Sequence, residues 1–593
     1  MSNGDPVHKV WLFDEAHLAR HDTTASDSPI AYVQALPTKT EFDDKDENNF
    51  LPDGALREGG ALELMSREAL GLLGQYVAVG IIYGCLPALL YPVYVKYLNF
   101  AGYQAASYSV LITLCWSFKV FLGMLTDCFP IGGYKRRPYM IIGWGICCAC
   151  MCLMAFVPFP DPYISKTLGE LPEATISKVR GGDFSNLTAA QKNMVNINAS
   201  ERSNFWILLS TLGSFGYMLA NVAADAMVVE YAHREPIHIR GRLQSAIYTM
   251  RYGSSMAPLL IVGICMNGPE YDGSFNWSIG PNLIFGMLIF PCAFAIWSAL
   301  FLVVEDRGVK PYFHSYVQNL WNLLRLRVMW QICAFRFCSN LFYNFDSTAT
   351  LIIPSIWANV QPLTKSLFAV ANTILVAFSI YIVGKYGLHW NWRTTIALAT
   401  IAVMLIDGTI LILTTWNILR NQYFFTTSLL PDSLPSGIRF IISGYCAVEI
   451  ADIGNEGAVF GLVTTVANLA TPLSTVCYKY IDSYFELTSA DLAQDTTAVR
   501  WSVTYSYAIA YTLKLLCLAF LPLLPPQKAA LQKLKRTGRS SSRAAAILVA
   551  VFVAALAFSF ITNLMALFPQ TSCYRIAGGN GQPTIKNNIT ICG

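Results

Sequence analysis

Apolar windows of about twenty residues, separated by shorter polar connections, recur from residue 76 to residue 568 of this 593-residue chain. About 20 apolar residues carry a helix across a bilayer. On that measure the pattern predicts helices at 76–98, 105–127, 139–159, 204–230, 244–266, 281–304 and 329–357. It predicts further helices at 364–387, 393–415, 436–453, 456–482, 500–524 and 544–568. That is twelve spans plus one. The pattern softens at 416–456, where Pro431, Pro435 and Gly437 interrupt it. The expected organisation is an acidic, disordered cytoplasmic tail (1–70), a six-helix half (71–304), a cytoplasmic central loop (305–328) and a second six-helix half (329–526). A basic cytoplasmic linker (527–543), a thirteenth span (544–568) and an extracellular tail (569–593) complete it. The predicted class is thus all-α and polytopic, with two six-helix halves and a site near the midplane between them.

Composition agrees with that reading. Hydrophobic residues make up 54% and charged residues 13%, against about 25% charged in an ordinary soluble domain. The net charge of +4 gives no reason to expect nucleic acid as a partner; the lipid bilayer is the expected one. Sign is segregated by position: residues 1–70 carry 14 acids against 6 Lys and Arg, while 528–543 carry six basic residues and no acid. The acidic head has neither the basic start nor the apolar run of a signal peptide.

Short loops rich in Lys and Arg mark the cytoplasmic side. Lys135, Arg136 and Arg137 follow the second span, and Arg234, Arg240 and Arg242 follow the fourth. The middle loop carries Arg307, Lys310, Arg325 and Arg327, whereas 267–280 carries no basic residue. The N-terminus is therefore expected in the cytoplasm and the C-terminus outside. The four N-x-[ST] sequons, Asn186, Asn198, Asn276 and Asn588, all fall on the expected outer side, as glycosylation requires. Of 16 cysteines, only Cys573 and Cys592 lie in a polar segment, and they could pair in an oxidising space. These features favour the plasma membrane; a vacuolar membrane gives the same pattern.

The stretch NVAADAMVVE (221–230) puts Asp225 and Glu230 inside an apolar span. A lone charge there costs about 2.5–3.5 kcal/mol or more, so a partner or a water-filled cavity is implied. On the next span Gln244, Tyr248 and Arg251 share one helical face. Arg251 and Asp225 lie at similar depths from the intervening loop, so the two are expected to pair, with Asn221 extending the polar face. Such a pair can equally fix packing, gate the cytoplasmic end, or contact substrate and proton. Glu230 is expected to cap the basic loop. Arg336, Asn340, Asn344 and Ser347 form a second polar stripe, and Thr464, Asn468 and Thr471 a third following Glu456. Lys119 could face the cavity or snorkel, and Asp346 and Asp407 have no partner visible in the sequence. All seven histidines lie outside the spans, and P-loop, G-x-S-x-G and H-E-x-x-H motifs are absent. No metal, cofactor or enzymatic chemistry is expected.

Three segments resemble the folate–biopterin transporter family of the major facilitator superfamily. GMLTDCFPIGGYKRRPY (123–139) is similar to the G-x-x-x-D signature with a basic end. NVAADAMVVEYAHRE followed by RGRLQSAIYTMRYGSS resembles the elements of the fourth and fifth spans, and NEGAVFGLVTTVANLA (455–470) that of the eleventh. The resemblance implies gating by Gly123, Asp127, Lys135, Arg136 and Arg137, with Glu230 and Glu456 at the same end. It implies proton-driven uptake of pterins, folates or related organic anions by alternating access. Asp225, Asn221, Arg251, Gln244, Tyr248, Arg336, Asn340 and Asn468 would serve substrate or coupling. The family often has an acid where this chain has Asn221, which would leave coupling to Asp225. Two other readings stand beside it: the same fold carrying S-adenosylmethionine or another nucleoside-like metabolite, and a receptor or scaffold that does not transport.

Overall fold

The computed structural model describes residues 59–165, 173–185, 187–232, 234–235, 242–305, 307, 313–386, 390–450, 456–568, 570–581, 584–586 and 589–591. The expected disordered character of the head therefore falls largely outside the described residues. The chain divides into a small unit, 1–61 with 233–240, and a large one holding the remainder. Of the small unit only 59–61, 234 and 235 are described, with Gly59 at φ +121° beside the Arg234 side chain.

The large unit is almost wholly helical. Its first part comprises α1 (Arg67–Ala88), α2 (Gly102–Thr113), α3 (Lys119–Cys128), α4 (Arg137–Phe156), the short α5 (Glu173–Arg180) and α6 (Ala189–Lys192), α7 (Asn204–Ala232), α8 (Arg242–Cys265) and α9 (Pro281–Phe301). Then come α10 (Phe313–Arg325), α11 (Arg327–Tyr343), α12 (Ala349–Ile356), α13 (Pro362–Tyr386), α14 (Trp392–Thr415), α15 (Gln422–Thr426) and α16 (Ser433–Ile450). The last part holds α17 (Glu456–Asp482), α18 (Ser489–Gln494), α19 (Thr497–Leu516), α20 (Lys528–Thr537) and α21 (Ser542–Met565). Strands β1 (Thr584–Lys586) and β2 (Ile589–Ile591) pair antiparallel in the tail. Each of the thirteen predicted windows holds a helix. Among the described residues, nine continuous helical stretches are long and apolar enough to cross a membrane.

Local sequence explains the ends and breaks. Ser66, Asn391, Thr496 and Ser541 cap α1, α14, α19 and α21 by accepting a backbone N–H from the first turn. In the first span Pro87 and Pro92 withhold amide donors, and the helix widens to a π-helix over Leu90–Tyr97. The second span narrows to a 3₁₀ stretch, Leu114–Phe118, between α2 and α3. The seventh is not the continuous helix expected over 329–357. Asp346 accepts from Thr350 Oγ1 (2.8 Å) and Ser347 Oγ from the Ala349 amide (3.2 Å), so NFDST forms a break that restarts the chain as α12. The expected stripe therefore loses its last member: Ser347 faces Ser506 (2.7 Å) instead of continuing the row.

Two large apolar cores result. One gathers residues of α1, α2, α4, α7, α8 and α9, among them Leu72, Trp144, Met218 and Phe285. The other gathers residues of α11, α14, α16, α17 and α21, among them Met329, Ile332, Ile438, Val463 and Leu556.

Candidate functional site

Close backbone packing positions the polar centre. Gly80 and Gly84 sit four apart on α1, against α8. A Cβ on Gly80 would lie 2.3 Å from the Arg251 carbonyl oxygen, and one on Gly84 2.5 Å from that of Ser255. Only glycine allows such an approach, a recurrent device where membrane helices cross. Gly143 on α4 and Gly216 on α7 repeat it, with Cβ atoms that would lie 2.5 and 2.7 Å from the opposing carbonyl oxygens.

Asp225 on α7 then stands at the meeting point of α1, α3 and α7. Lys119 Nζ lies 2.7 Å from its Oδ2, Asn221 Nδ2 donates to the same oxygen (3.1 Å), and the Tyr76 hydroxyl donates to Oδ1. The Asp225 side chain is 25% exposed and that of Lys119 14%, so the pair is half-buried. Tyr248 packs its ring against that of Tyr76, 6.5 Å between centroids.

The expected Asp225–Arg251 pair is not formed. The guanidinium of Arg251 sits over the rings of Trp116 (4.5 Å), Tyr83 (5.0 Å) and Tyr252 (5.9 Å), and its Nε is buried without a hydrogen-bond partner. Depth along a helix cannot separate two cations that lie in the same layer. Rotation does: the 3₁₀ stretch turns Lys119, the first residue of α3, toward α7, while the aromatic faces hold Arg251 by cation–π attraction. Lys119 thus faces inward, the alternative left open by the sequence.

At the end of the first half that carries the basic triplet, Arg136 Nη2 lies 2.5 Å from Asp127 and 3.3 Å from Glu230, and its Nη1 donates to Thr126 (3.0 Å). Glu305 accepts the backbone amides of Lys135 (2.6 Å), Arg136 and Arg137 (2.8 Å each). Arg137 donates to the carbonyls of Ala299 (2.9 Å) and Leu300, and Gly123 lies against Val222. The structure thus brings Asp127, Arg136 and Glu230 together, while Lys135 contributes its backbone. At the opposite face, hydrogen bonds tie the two parts of the chain: Tyr91 to the Val360 carbonyl (2.5 Å), Lys96 to that of Ser355 (3.4 Å), and the Leu363 amide to Asn267 (3.3 Å). There too Asp272 receives Arg180 in a bidentate pair (2.9 and 3.0 Å) together with Lys96 (2.9 Å).

In the second core Arg336 Nη1 donates to the Arg439 carbonyl (3.4 Å). Arg439 donates to Ser339 Oγ (3.1 Å), Asn340 Oδ1 (3.4 Å) and Cys517 Sγ (3.3 Å), with the Tyr343 ring 4.1 Å from its guanidinium. Asp407 accepts from Tyr511 (2.5 Å), and Asp346 serves the α12 break, so both acquire partners the sequence did not reveal. Asn468 is half-buried on α17; the side chains of Gln244 and Glu456 lie outside the described residues. Asn198 and Asn276 are exposed, whereas Asn186 and Asn588 lie outside the described residues. Cys573 is disulfide-bonded and Cys592 lies outside the described residues.

Sequence reasoning missed Tyr76, Tyr83, Trp116, Glu305 and Arg439. The first pair had a signal, two tyrosines seven apart on one face of α1, and Trp116 stands one turn before Lys119. Arg439 fell in the window where proline and glycine blurred the pattern.

The arrangement of helices around the two apolar cores is similar to that of solved membrane transporters. The crystal structure of a D-xylose-proton symporter matches 78% of this chain and 99% of its own, with a TM-score of 0.52 at 13% identity. A structure described for substrate recognition in proton dependent oligopeptide transporters matches 79% of this chain and 99% of its own, with a TM-score of 0.50 at 13% identity. Residues 80–166 match the model of the BT1 family. A stretch of 148 residues is 24% identical to the probable folate-biopterin transporter 4 of Arabidopsis thaliana, spanning 24% of this chain and 22% of that relative's length. The family match contains GMLTDCFPIGGYKRRPY; the other two motif segments lie beyond it. Its long apolar helices make the chain a multi-pass membrane protein, and over the matched stretches it resembles the folate–biopterin transporters.

Proposed function

We propose that this protein is a proton-coupled secondary transporter of pterins, folates or related organic anions, working by alternating access. The observation that carries the reading is the centre around Asp225. A half-buried carboxylate is held by a lysine, a tyrosine and an asparagine, next to an arginine framed by aromatic rings. A pterin edge presents adjacent N–H donors, which suit a carboxylate acceptor, and its flat ring suits Tyr83 and Trp116. Protonation of Asp225 would release Lys119, and substrate or proton would compete with the ammonium for the same oxygens. Coupling then needs no acid at Asn221.

On this reading the N-terminus and the basic triplet are cytoplasmic, and Asn186, Asn198, Asn276 and Asn588 are glycosylated outside. Cys573 pairs with Cys592 there, and the plasma membrane is the site of action. Six-helix halves at 71–304 and 329–526 rock about the centre, with Asp127, Arg136 and Glu230 bracing the inner end of the first half. The hydrogen bonds tying the sequon-bearing face support assigning this state as closed to the outside.

The test is uptake of labelled folate, biopterin and S-adenosylmethionine into cells expressing the chain, with and without a proton gradient. Folate or biopterin should accumulate and fall when the gradient is dissipated, and Asp225→Asn should reduce uptake to the vector level. Accumulation of S-adenosylmethionine alone would replace the cargo. If none of the three accumulates, the proposal is wrong.

A further inference from the structure

The second core holds two arginines that the chemistry at Asp225 does not use. Arg336 lies nine residues into α11, about 14 Å from its start, and Arg439 six residues into α16, about 9 Å from its start. They converge in one layer, the guanidinium of the first donating to the main chain of the second. Among the described residues no carboxylate approaches either within 4 Å, and the Nε of each is buried without a partner. Arg439 is 7% exposed. Beside them lies a cavity of about 10 Å³, walled by Ile332, Phe335, Ile396, Ile442 and Cys446, room for a single water.

Two like charges in an apolar wall repel each other and have lost most of their hydration. Two other buried arginines carry a counter-charge: Arg136 has Asp127 and Glu230, and Arg180 has Asp272. Arg439 instead makes do with a hydroxyl, an amide oxygen, a thiol and the Tyr343 ring. The neutral acceptors orient its guanidinium fork without neutralising it. A planar fork of this kind matches carboxylate or phosphate oxygens in bidentate fashion.

We propose that Arg336 and Arg439 form an anion-binding centre for a doubly charged group of the transported molecule, admitted when α11 and α16 move apart. The inference rests on the transport reading and deepens it: the first half would hold the ring of the cargo and the second its dianionic tail. The anion class is a dicarboxylate or a phosphate. In the state described here the centre is collapsed around a space too small for either.

The test uses the purified full chain in detergent, with thermal unfolding followed in the presence of folate, biopterin (which has no anionic tail), glutarate and inorganic phosphate. Folate should raise the unfolding temperature more than biopterin. In Arg439→Gln and Arg336→Gln the folate response should fall to that of biopterin, with an affinity loss of about 10- to 100-fold, while the biopterin response stays. Arg439→Lys, which keeps the charge but not the fork, should fold and still lose folate affinity, covering the case in which the glutamine variants do not fold. Stabilisation by glutarate or phosphate that requires both arginines, with no response to either pterin, would keep the centre and discard the pterin cargo. Unchanged folate binding in the variants, or no stabilisation of the unaltered protein by any of the anions, would overturn the centre.

Discussion

The carboxylate of Asp272 illustrates how little separates a costly charge from a useful one. Burial alone would raise its pKa, yet Arg180 and then Lys96 outweigh burial and lower it to about 2 from an ordinary 3.8. A group whose folded pKa is depressed contributes stability above its unfolded pKa and loses it as pH falls through the folded value. Stability should therefore drop between about pH 4 and pH 2, by roughly 2 kcal/mol for this group. Thermal unfolding across that window should show the drop, and Asp272→Asn should flatten it. A variant with an undiminished slope would show that the acid response arises elsewhere. At Asp225 the residue scale also shows where sequence reading stopped. That its charge needs a partner was legible from the apolar span around it. Which cation answers was not, because Lys119 and Arg251 compete within one layer, and a five-residue 3₁₀ stretch decides between them.

Elements were more legible than their contacts. A bilayer imposes a length on each helix, so thirteen windows could be read from hydropathy alone. The break at Asn344–Thr348 was hidden because NFDST fits a polar stripe and a cap equally well, and only the bonds of Asp346 and Ser347 distinguish them. The pairing of α1 with α8 carried a signal in G-x-x-x-G at 80–84 that the search for charged residues passed over. Its consequence can be tested. Gly80→Leu would drive a side chain into the main chain of Arg251, and overpacking of this kind costs about 1–3 kcal/mol. Folded yield and thermal stability should fall, whereas Gly253→Ala, where a Cβ meets nothing within 4 Å, should leave both unchanged. Equal tolerance of the two would mean the helices can separate without loss.

For the whole molecule, the two cores and their extra helix form one connected system. Lys479 on α17 is fully buried, donating to Ser107 on α2 (2.9 Å) and to Asn563 on α21 (2.9 Å). No carboxylate lies within 4 Å of it among the described residues. Asn563→Leu should lower thermal stability by about 1–3 kcal/mol or more, the cost of stranding a buried charged donor. Lys479→Met in the same chain should recover much of the loss, as a coupled pair requires. Additive losses would mean the two residues act independently.

Synthesis order turns this contact into a timing problem. The lysine leaves the ribosome 84 residues ahead of its amide acceptor, so the eleventh span must enter lipid with an ammonium half unanswered. Maturation of the bundle then waits for α21, and a chain cut before Ser542 should be held back and degraded even though every earlier helix is complete.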